Sequence, residues 1–184
     1  MSVLNIALLA AWPALVFYGL DILEPRYLGA ALVAAVMLRQ RRKVGQLMAT
    51  FSPLDRFMLL ASLALAGGVM AANDEVLLRL YPALVNLAFL TMFAISLARP
   101  PSMVERFARL TEPELTAAGV RYTRTVTQIW CGFFVVNGSV AAWTAIWGSR
   151  EAWALYNGLI AYVLMGILFG GELWCRRRWR ARHA

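Results

Sequence analysis

Six apolar segments, separated by short polar stretches, make up most of the chain. They cover residues 3–20, 23–38, 57–72, 76–98, 125–147 and 152–174. An α-helix rises about 1.5 Å per residue, so about 20 apolar residues cross a hydrocarbon core of about 30 Å. The pattern therefore predicts an all-α fold, a polytopic membrane helical bundle with about six transmembrane helices. We expect a single integral membrane domain over residues 1–184, whose first segment is a retained span because it lacks the features of a signal peptide.

The second apolar segment is the weakest of the six. Its uninterrupted part, residues 27–38, would extend only about 18 Å as a helix. It spans the membrane if it recruits residues 23–26, with Pro25 in the first turn and Arg26 reaching to the interface. A re-entrant segment is the alternative, and the charge pattern is compatible with both.

The basic residues orient the predicted bundle. Arg26, Arg79 and Arg150 fall on one side of the membrane, whereas the other fifteen of the eighteen basic residues fall on the opposite side. These fifteen form three clusters, which lie within residues 39–56, 99–124 and 175–184. Because loops rich in Arg and Lys stay in the cytoplasm, the clusters predict a cytoplasmic segment 99–124, a cytoplasmic basic tail 175–184 and a cytoplasmic N-terminus if all six segments span.

Composition agrees with a membrane protein and narrows the candidate chemistry. The chain is 61% apolar and 15% charged, far from the balance of a soluble domain. Topology accounts for the net charge of +8, and no recognition module for nucleic acid is visible. Cys131 and Cys175 differ in predicted depth, and His183 is the sole histidine, so we expect neither a disulfide, a bound metal, a cofactor nor a familiar catalytic motif.

The longest polar segment, residues 99–124, carries the signals of an ordered helix. Pro100 and Pro101 stop the fourth span. Ser102 and Glu105 then form a capping-box pattern. The apolar positions that follow share one face, as in a helix that lies on a membrane surface. These positions are Met103, Phe107 and Leu110.

A second short helix is predicted in the same segment. Thr111 and Glu114 repeat the capping pattern, and Gly119 suits the end of the helix. Two interpretations of the segment stay open: an interfacial connector anchored by anionic membrane lipid, and a docking surface for an acidic cytoplasmic partner such as an acyl carrier protein. The basic residues of this candidate surface are Arg106, Arg109, Arg121 and Arg124.

A compact polar cluster, Asn73, Asp74 and Glu75, lies between the third and fourth spans, with Arg79 one helical turn after Glu75. One interpretation is a carboxylate site for a proton, a cation or a polar head group. The other is turn chemistry, in which Asn73 or Asp74 caps the fourth helix and carboxylates favour its N-terminal end.

Amide side chains within the spans form a second candidate site. Polar groups in a membrane are costly unless they are paired, so Asn86, Gln128, Asn137 and Asn157 are expected to face other helices. Hydrogen bonding between helices is one role for them, and lining a polar pocket is the other. The possible pocket comprises Asn86, Trp130, Asn137, Tyr156 and Asn157, with Gly138 beside it.

The last span carries two weaker signals. The spacing of Gly166 and Gly170 permits close helix packing. Glu172 either reaches the cytoplasmic interface, pairs with Arg176 at i+4, or stays buried and carries a proton. Tryptophans are expected in two interfacial belts, Trp143, Trp147 and Trp153 at one interface and Trp130 and Trp174 near the other.

The chain resembles the bacterial inner-membrane YciB family, also called intracellular septation protein A. The resemblance rests on residues distributed over most of the chain, namely Phe17, Tyr18, Asp21, Asn73, Asp74, Glu75, Trp130, Phe133, Phe134, Gly138 and Trp153. Two positions depart from the family pattern: Ala141 stands where the family often has Asn, and Asn157 where it often has Lys. These departures indicate a divergent branch, similar to the membrane proteins encoded beside aryl-polyene pigment genes.

The resemblance implies a bacterial inner-membrane location and a role in the cell envelope. The leading hypothesis is a non-enzymatic protein that supports envelope, envelope-lipid or pigment assembly, with membrane lipids or an acidic protein on its basic face. A small transporter or lipid flippase is the alternative, motivated by the amides within the spans. An intramembrane transferase or hydrolase, with Asp74 and Glu75 as acid and base, is the third.

Overall fold

A computed structural model of the chain describes residues 15–28, 30–31, 34, 64, 67–68 and 71–183. The predicted spans 3–20, 23–38 and 57–72 lie partly or largely outside these residues, as does the basic cluster within residues 39–56. Whether residues 27–38 cross the membrane therefore stays a prediction. Within the described part, residues 15–19 and 25–28 are helical.

The regular elements of the described residues are all helical, as the apolar pattern predicts. Helices α1 and α2 cover Glu75–Arg79 and Tyr81–Ala98, and the short helix α3 covers Met103–Arg109. Helix α4 covers Ala117–Ile146, α5 covers Arg150–Leu155 and α6 covers Ala161–His183. A five-residue π-helical turn, Tyr156–Ile160, joins α5 to α6.

Three stretches are long and apolar enough to cross a membrane. They are Glu75–Ala98 with 24 residues, Ala117–Ile146 with 30 and Arg150–Arg178 with 29. At most 28% of the most apolar window of each stretch is buried. Most of the apolar surface of these helices is therefore left for lipid or for other protein, which is the character of a membrane protein.

Helices α2 and α4 pack against each other along most of their length, and an aromatic cluster lies between them. Phe134 of α4 stacks on Phe89 at 5.5 Å between ring centroids and meets Phe93 edge-on at 5.2 Å. Trp130 lies 5.8 Å from Phe134, and Met103 of α3 closes the cluster. Aromatic pairs at these spacings add to the packing energy, so the cluster fixes α2, α3 and α4 relative to one another.

The second predicted short helix of the polar segment is wrong. Thr116, rather than Thr111, caps the next helix, and its hydroxyl accepts a hydrogen bond from the Gly119 N–H at 3.2 Å. The Thr111 hydroxyl instead donates to the Ala108 carbonyl. Gly119 lies in the first turn of α4 and does not end a helix, because nothing after it interrupts the run to Ile146. Helix α4 thus begins at Ala117, before the predicted start at residue 125.

The last helix also differs from expectation. The predicted basic tail does not lie beyond the helix, since α6 continues through Arg176 to His183. Gly166 and Gly170 are exposed, and a Cβ atom added to either would meet nothing within 4 Å. Among the described residues no helix packs on this glycine face.

Two side chains, those of Trp153 and Gln128, have surroundings that differ from the ones expected. Trp153 is packed inside the protein and is 1% exposed, whereas Trp143 and Trp147 are 57% and 71% exposed. The predicted interfacial belts themselves stay a prediction. Gln128 does not face another described helix, because it is exposed on α4. The expected surroundings of both residues follow from their positions in the chain alone. In the structure, the contacts between helices determine these surroundings.

Candidate functional site

The Asn73–Asp74 pair forms the turn that starts the α1–α2 span. Asp74 is the N-cap of α1, and its Oδ1 accepts a hydrogen bond from the Val76 N–H at 2.8 Å. Asn73 adopts a positive φ of 50°, a conformation that Asn tolerates better than most residues. Its side chain accepts from the Arg26 N–H at 3.2 Å and donates to Glu24 at 3.4 Å. Turn chemistry therefore occupies both residues.

Glu75 sits between two arginines. One oxygen lies 3.5 Å from Arg79 Nη1 at the i+4 position, and the other contacts Arg150 Nη2 at the start of α5. Arg150 also reaches Asp21 at 3.4 Å. We call Glu75, Arg79 and Arg150 the charged clamp, because together they tie α1 to α5 and to the connection after residues 15–19.

Arg79 is the most deeply placed charge of the clamp, with 5% of its surface exposed. Its Nη2 donates to the carbonyl oxygens of Thr144 at 2.7 Å, of Ser149 at 3.2 Å and of Gly148. These carbonyls belong to the last turn of α4 and the connection that follows, where the helix leaves acceptors free. A guanidinium ion suits this end of a helix because the macrodipole is negative there.

Trp153 completes the clamp from α5. Its indole Nε1–H donates to the Arg79 carbonyl at 2.8 Å, and its ring packs with Val16, Leu78 and Ala145. A buried tryptophan ordinarily finds such a partner for its N–H. The clamp is thus closed by polar contacts on one side and by an apolar cluster on the other.

The midspan amides do converge. Asn137 of α4 donates from Nδ2 to the Asn86 Oδ1 at 3.0 Å, and Asn86 in turn donates to the Pro82 carbonyl at 2.9 Å. The Tyr156 hydroxyl donates to Asn137 Oδ1 at 2.9 Å. Asn86 and Asn137 are 8% and 4% exposed, so this polar chain faces protein rather than lipid.

Asn157 lies in the π-helical turn beside this chain without joining it directly. Its Nδ2 donates to the Trp153 carbonyl at 2.9 Å and to the Thr144 hydroxyl at 3.3 Å. A π-helical turn disturbs the ordinary i→i−4 ladder, and the amide supplies a donor to a carbonyl one turn earlier. Asn157 therefore links the turn to α4.

Trp130, the remaining member of the predicted pocket, lies elsewhere. It belongs to the aromatic cluster with Phe134 and Phe133. The predicted set thus separates into a hydrogen-bonded chain of Asn86, Asn137 and Tyr156, the neighbouring Asn157, and Trp130 in the aromatic cluster. Asn86 and Asn137 hydrogen-bond to each other. The hypothesis of hydrogen bonding between helices requires such a contact, whereas a polar pocket does not require it.

Gly138 makes the amide chain possible. A Cβ atom at this position would lie 3.0 Å from the Asn86 Cβ, closer than nine in ten real Cβ contacts. Glycine therefore lets α2 and α4 approach closely enough for Asn137 to reach Asn86.

At the other end of the bundle, the end formed by residues 99–124 and the last turns of α6, helix α3 is held by buried hydrogen bonds. The Ser102 N–H donates to Glu105 Oε2 at 3.4 Å in the predicted capping box. The Met103 N–H donates to the Ser96 hydroxyl at 2.9 Å, and the Val104 N–H to the Thr127 hydroxyl at 3.3 Å. We call this end the basic end. Its short helix is fixed to both α2 and α4.

The arginines of the basic end differ in what they do. Arg109 holds Glu105 through two nitrogens at 2.7 and 2.9 Å and donates to the Pro113 carbonyl, so it serves the fold. Arg106 and Arg124 each donate once, to the carbonyls of Pro101 and Leu97 at 3.0 Å. Arg121 is exposed and makes no hydrogen bond or ion pair with any described residue.

The predicted apolar face of α3 is divided. Met103 is buried in the aromatic cluster, whereas Phe107 and Leu110 are 58% and 81% exposed. Two large apolar side chains therefore stand beside Arg106 on the outer surface of α3.

Glu172 lies on α6 at the basic end of the bundle. Its Oε1 atom is buried and has no hydrogen-bond partner among the described residues. The described residues contain no group of three His, Cys, Asp or Glu side chains that could hold a metal ion.

Sequence reasoning missed the long-range half of the charged clamp. It identified Glu75 and Arg79 but neither Arg150 nor the carbonyls at the end of α4. One sequence feature could have indicated it: Arg79 and Arg150 are predicted to lie on the same side of the membrane as Asp21 and Glu75. Comparison with known proteins found no matching protein-family model, curated protein or solved structure.

Proposed function

We propose that this chain is a non-enzymatic protein of the bacterial inner membrane that supports assembly of the cell envelope or of its lipids. In this proposal the basic end faces the cytoplasm and holds anionic phospholipid of the adjoining leaflet. One observation carries it: α3 is fixed by buried hydrogen bonds while it presents Phe107 and Leu110 beside Arg106.

Apolar and basic groups side by side match the boundary of a membrane leaflet. Exposed Phe and Leu side chains enter the acyl region, while guanidinium groups meet the phosphates above it. An acidic soluble protein would complement the arginines but gives less reason for Leu110 to be 81% exposed at the membrane level. The resemblance to the septation family supports the envelope role.

The proposal is tested by the lipid that accompanies the purified protein. We expect full-length protein extracted in mild detergent to retain anionic phospholipid at low salt and to lose much of it at moderate salt, because ionic screening weakens exposed charges. The variant R106Q/R121Q/R177Q should retain less at low salt, while R26Q, which changes an arginine at the opposite end, should match the wild type. Arg109 is left intact because it pairs with Glu105.

Two outcomes would change the conclusion. Equal retention by the wild type and the triple variant would contradict lipid binding at the basic end. Loss of an acidic protein, instead of lipid, on salt washing would favour the docking hypothesis in its place.

A small transporter or lipid flippase is the second candidate, favoured by one observation. Asn86 and Asn137 are joined within the bundle, with Tyr156 at the end of the chain. A polar path requires these groups to exchange their mutual hydrogen bonds for bonds to a substrate. Scrambling of a fluorescent phospholipid by proteoliposomes, abolished in a folded N137A variant, would support this function over the first.

The third candidate, an intramembrane transferase or hydrolase, has the least support from the geometry. Asp74 is engaged as a helix cap and Glu75 is held between two arginines. Neither carboxylate is positioned as one of an acid and base pair. Their contacts support the turn and ion-pair interpretation.

A further inference from the structure

Two arginines donate to backbone carbonyls of the turn that follows α2, and a third lies within the turn. Arg124 reaches back from α4 to the Leu97 carbonyl, and Arg106 reaches back from α3 to the Pro101 carbonyl, each at 3.0 Å. Arg99 lies in the chain between these two carbonyls and is exposed. We call Arg99, Arg106 and Arg124 the arginine corner. Separate elements thus bring the Arg106 and Arg124 guanidinium groups to the five-residue stretch 97–101, which itself contains Arg99.

The guanidinium groups of the corner retain free donors. Arg106 uses only Nε and Arg124 only Nη1, and the described residues supply no other hydrogen-bond partner to either. Their attachment to backbone carbonyls restricts the side chains without neutralising them. Glu105, the carboxylate nearest in sequence, is 5% exposed and already paired with Arg109. The positive charge of the corner is therefore not offset by Glu105.

The position of the corner, directly after a candidate membrane span, suits contact with lipid phosphate. Helix α2 contains no charged residue and ends at Ala98, so we expect the following residues to lie where the hydrocarbon core gives way to head groups. Phe107 follows Arg106 directly and is exposed. A ligand that satisfied both would carry an anionic phosphate and an apolar chain.

We infer that the arginine corner binds the phosphodiester of an anionic phospholipid from the adjoining leaflet. The inference rests on the proposed function and narrows it from a basic surface to one site. Planar guanidinium forks suit phosphate oxygens because they donate two parallel hydrogen bonds. The attachment of Arg106 and Arg124 to the backbone reduces the side-chain freedom that binding must remove.

The test compares two variants with equal charge loss. Full-length protein is delipidated in a neutral detergent and titrated with short-chain phosphatidylglycerol, and bound lipid is counted by native mass spectrometry. The corner variant is R99Q/R106Q/R124Q, and its matched control is R176Q/R177Q/R178Q at the end of α6. A third variant, R99K/R106K/R124K, keeps the charge but loses the planar forks. Phosphatidylcholine and inorganic phosphate serve as the zwitterionic and free-anion probes.

We expect the apparent dissociation constant to rise roughly tenfold more in the corner variant than in the control, because a specific site loses oriented, charge-assisted bonds. The lysine variant should bind more weakly than the wild type although its charge is unchanged. If the glutamine variant fails to fold, the lysine variant alone tests the site. Phosphatidylcholine should bind weakly, and inorganic phosphate at equal concentration should not displace phosphatidylglycerol.

The other results are equally decisive. Equal weakening in the two glutamine variants, with no loss in the lysine variant, would overturn the site but leave diffuse lipid attraction at the basic end intact. Unchanged binding in both glutamine variants would overturn the site and the proposed function together. Displacement of the lipid by inorganic phosphate would show a free-anion site and overturn the assignment to lipid.

Discussion

Arg79 shows how a single residue can join distant parts of this bundle. Its guanidinium contacts Glu75 one turn away and three carbonyls 65 to 70 residues later in the chain. Burial of a charge is costly unless such partners surround it. Within the described part of the chain, one nitrogen of Arg79, Nε, has no hydrogen-bond partner. The remaining contacts therefore have to be kept together for the charge to stay buried.

Removal of the buried charge is predicted to destabilise the fold. Arg79→Met leaves Glu75 with one arginine and takes a donor from three carbonyls, so we expect a loss of about 3 kcal/mol in the free energy of unfolding. Unfolding by sodium dodecyl sulfate in mixed micelles, followed by helical circular dichroism, measures this loss.

A matched change on the same side is the control. Arg26 pairs with Glu24, but both side chains are about half exposed, so Arg26→Met should cost no more than about 1 kcal/mol. Equal losses in the two variants would show that the contacts of Arg79 do not stabilise the bundle.

Local spacing made part of the charged clamp predictable. The i+4 relation of Glu75 and Arg79 and the capping role of Asp74 depend on neighbours in sequence, and the structure confirms both. Arg150 and Trp153 could not be placed in the same way. Their positions depend on how α5 turns back against α1, which no nearby residue pattern encodes.

At the scale of the helices, the closest approach of α2 and α4 depends on Gly138. Helix interfaces in membranes use small residues so that backbones come near enough for polar contacts. The amide bond between Asn86 and Asn137 spans this approach. A Cβ atom at position 138 requires Asn86 to shift by a few tenths of an ångström, and a larger side chain requires a larger shift.

We predict that Gly138→Leu destabilises the bundle by about 1–3 kcal/mol, the usual cost of forcing extra volume into a packed contact. Gly132, on the same helix, is the control, because a Cβ atom there would meet nothing within 4 Å. Gly132→Leu should stay within about 0.5 kcal/mol of the wild type. Micellar unfolding of both variants makes the comparison, and a larger effect at position 132 would refute the close-approach argument.

The helix bounds show which sequence signals compete. The capping box at Ser102 and Glu105 correctly predicts the start of α3. A tertiary hydrogen bond from the Met103 N–H to the Ser96 hydroxyl supports the helix at this position. The same pattern at Thr111 and Glu114 fails, since Thr116 supplies a cap directly before a long uninterrupted run. A capping pattern alone therefore locates a possible start but cannot choose between neighbouring ones.

For the whole molecule, the apolar pattern predicted the architecture better than the sites. An all-helical protein with long apolar helices follows from composition and segment length, and three such helices are found at the fourth, fifth and sixth predicted segments. The convergence of Asn86 and Asn137 required the packing order of the helices. Sequence periodicity contains no information on that order when most of each helix surface is apolar.

The distribution of basic residues predicts the orientation of the whole bundle. A reporter active only in the cytoplasm should be active when inserted after residue 113 or fused after His183, and inactive when inserted after Gly148. Both active positions belong to the basic end. The opposite pattern of reporter activity would show that the protein has the opposite orientation and that the arginine corner lies outside the cytoplasm.

The contacts of Arg79 also impose an order on assembly. The carbonyl groups of Thr144 to Ser149 are synthesised only after a further 65 to 70 residues have followed Arg79. Until then the guanidinium group has no carbonyl acceptors from α4 and must remain near water. The burial of Arg79 therefore has to wait until the last turn of α4 and the connection to α5 pack against α1.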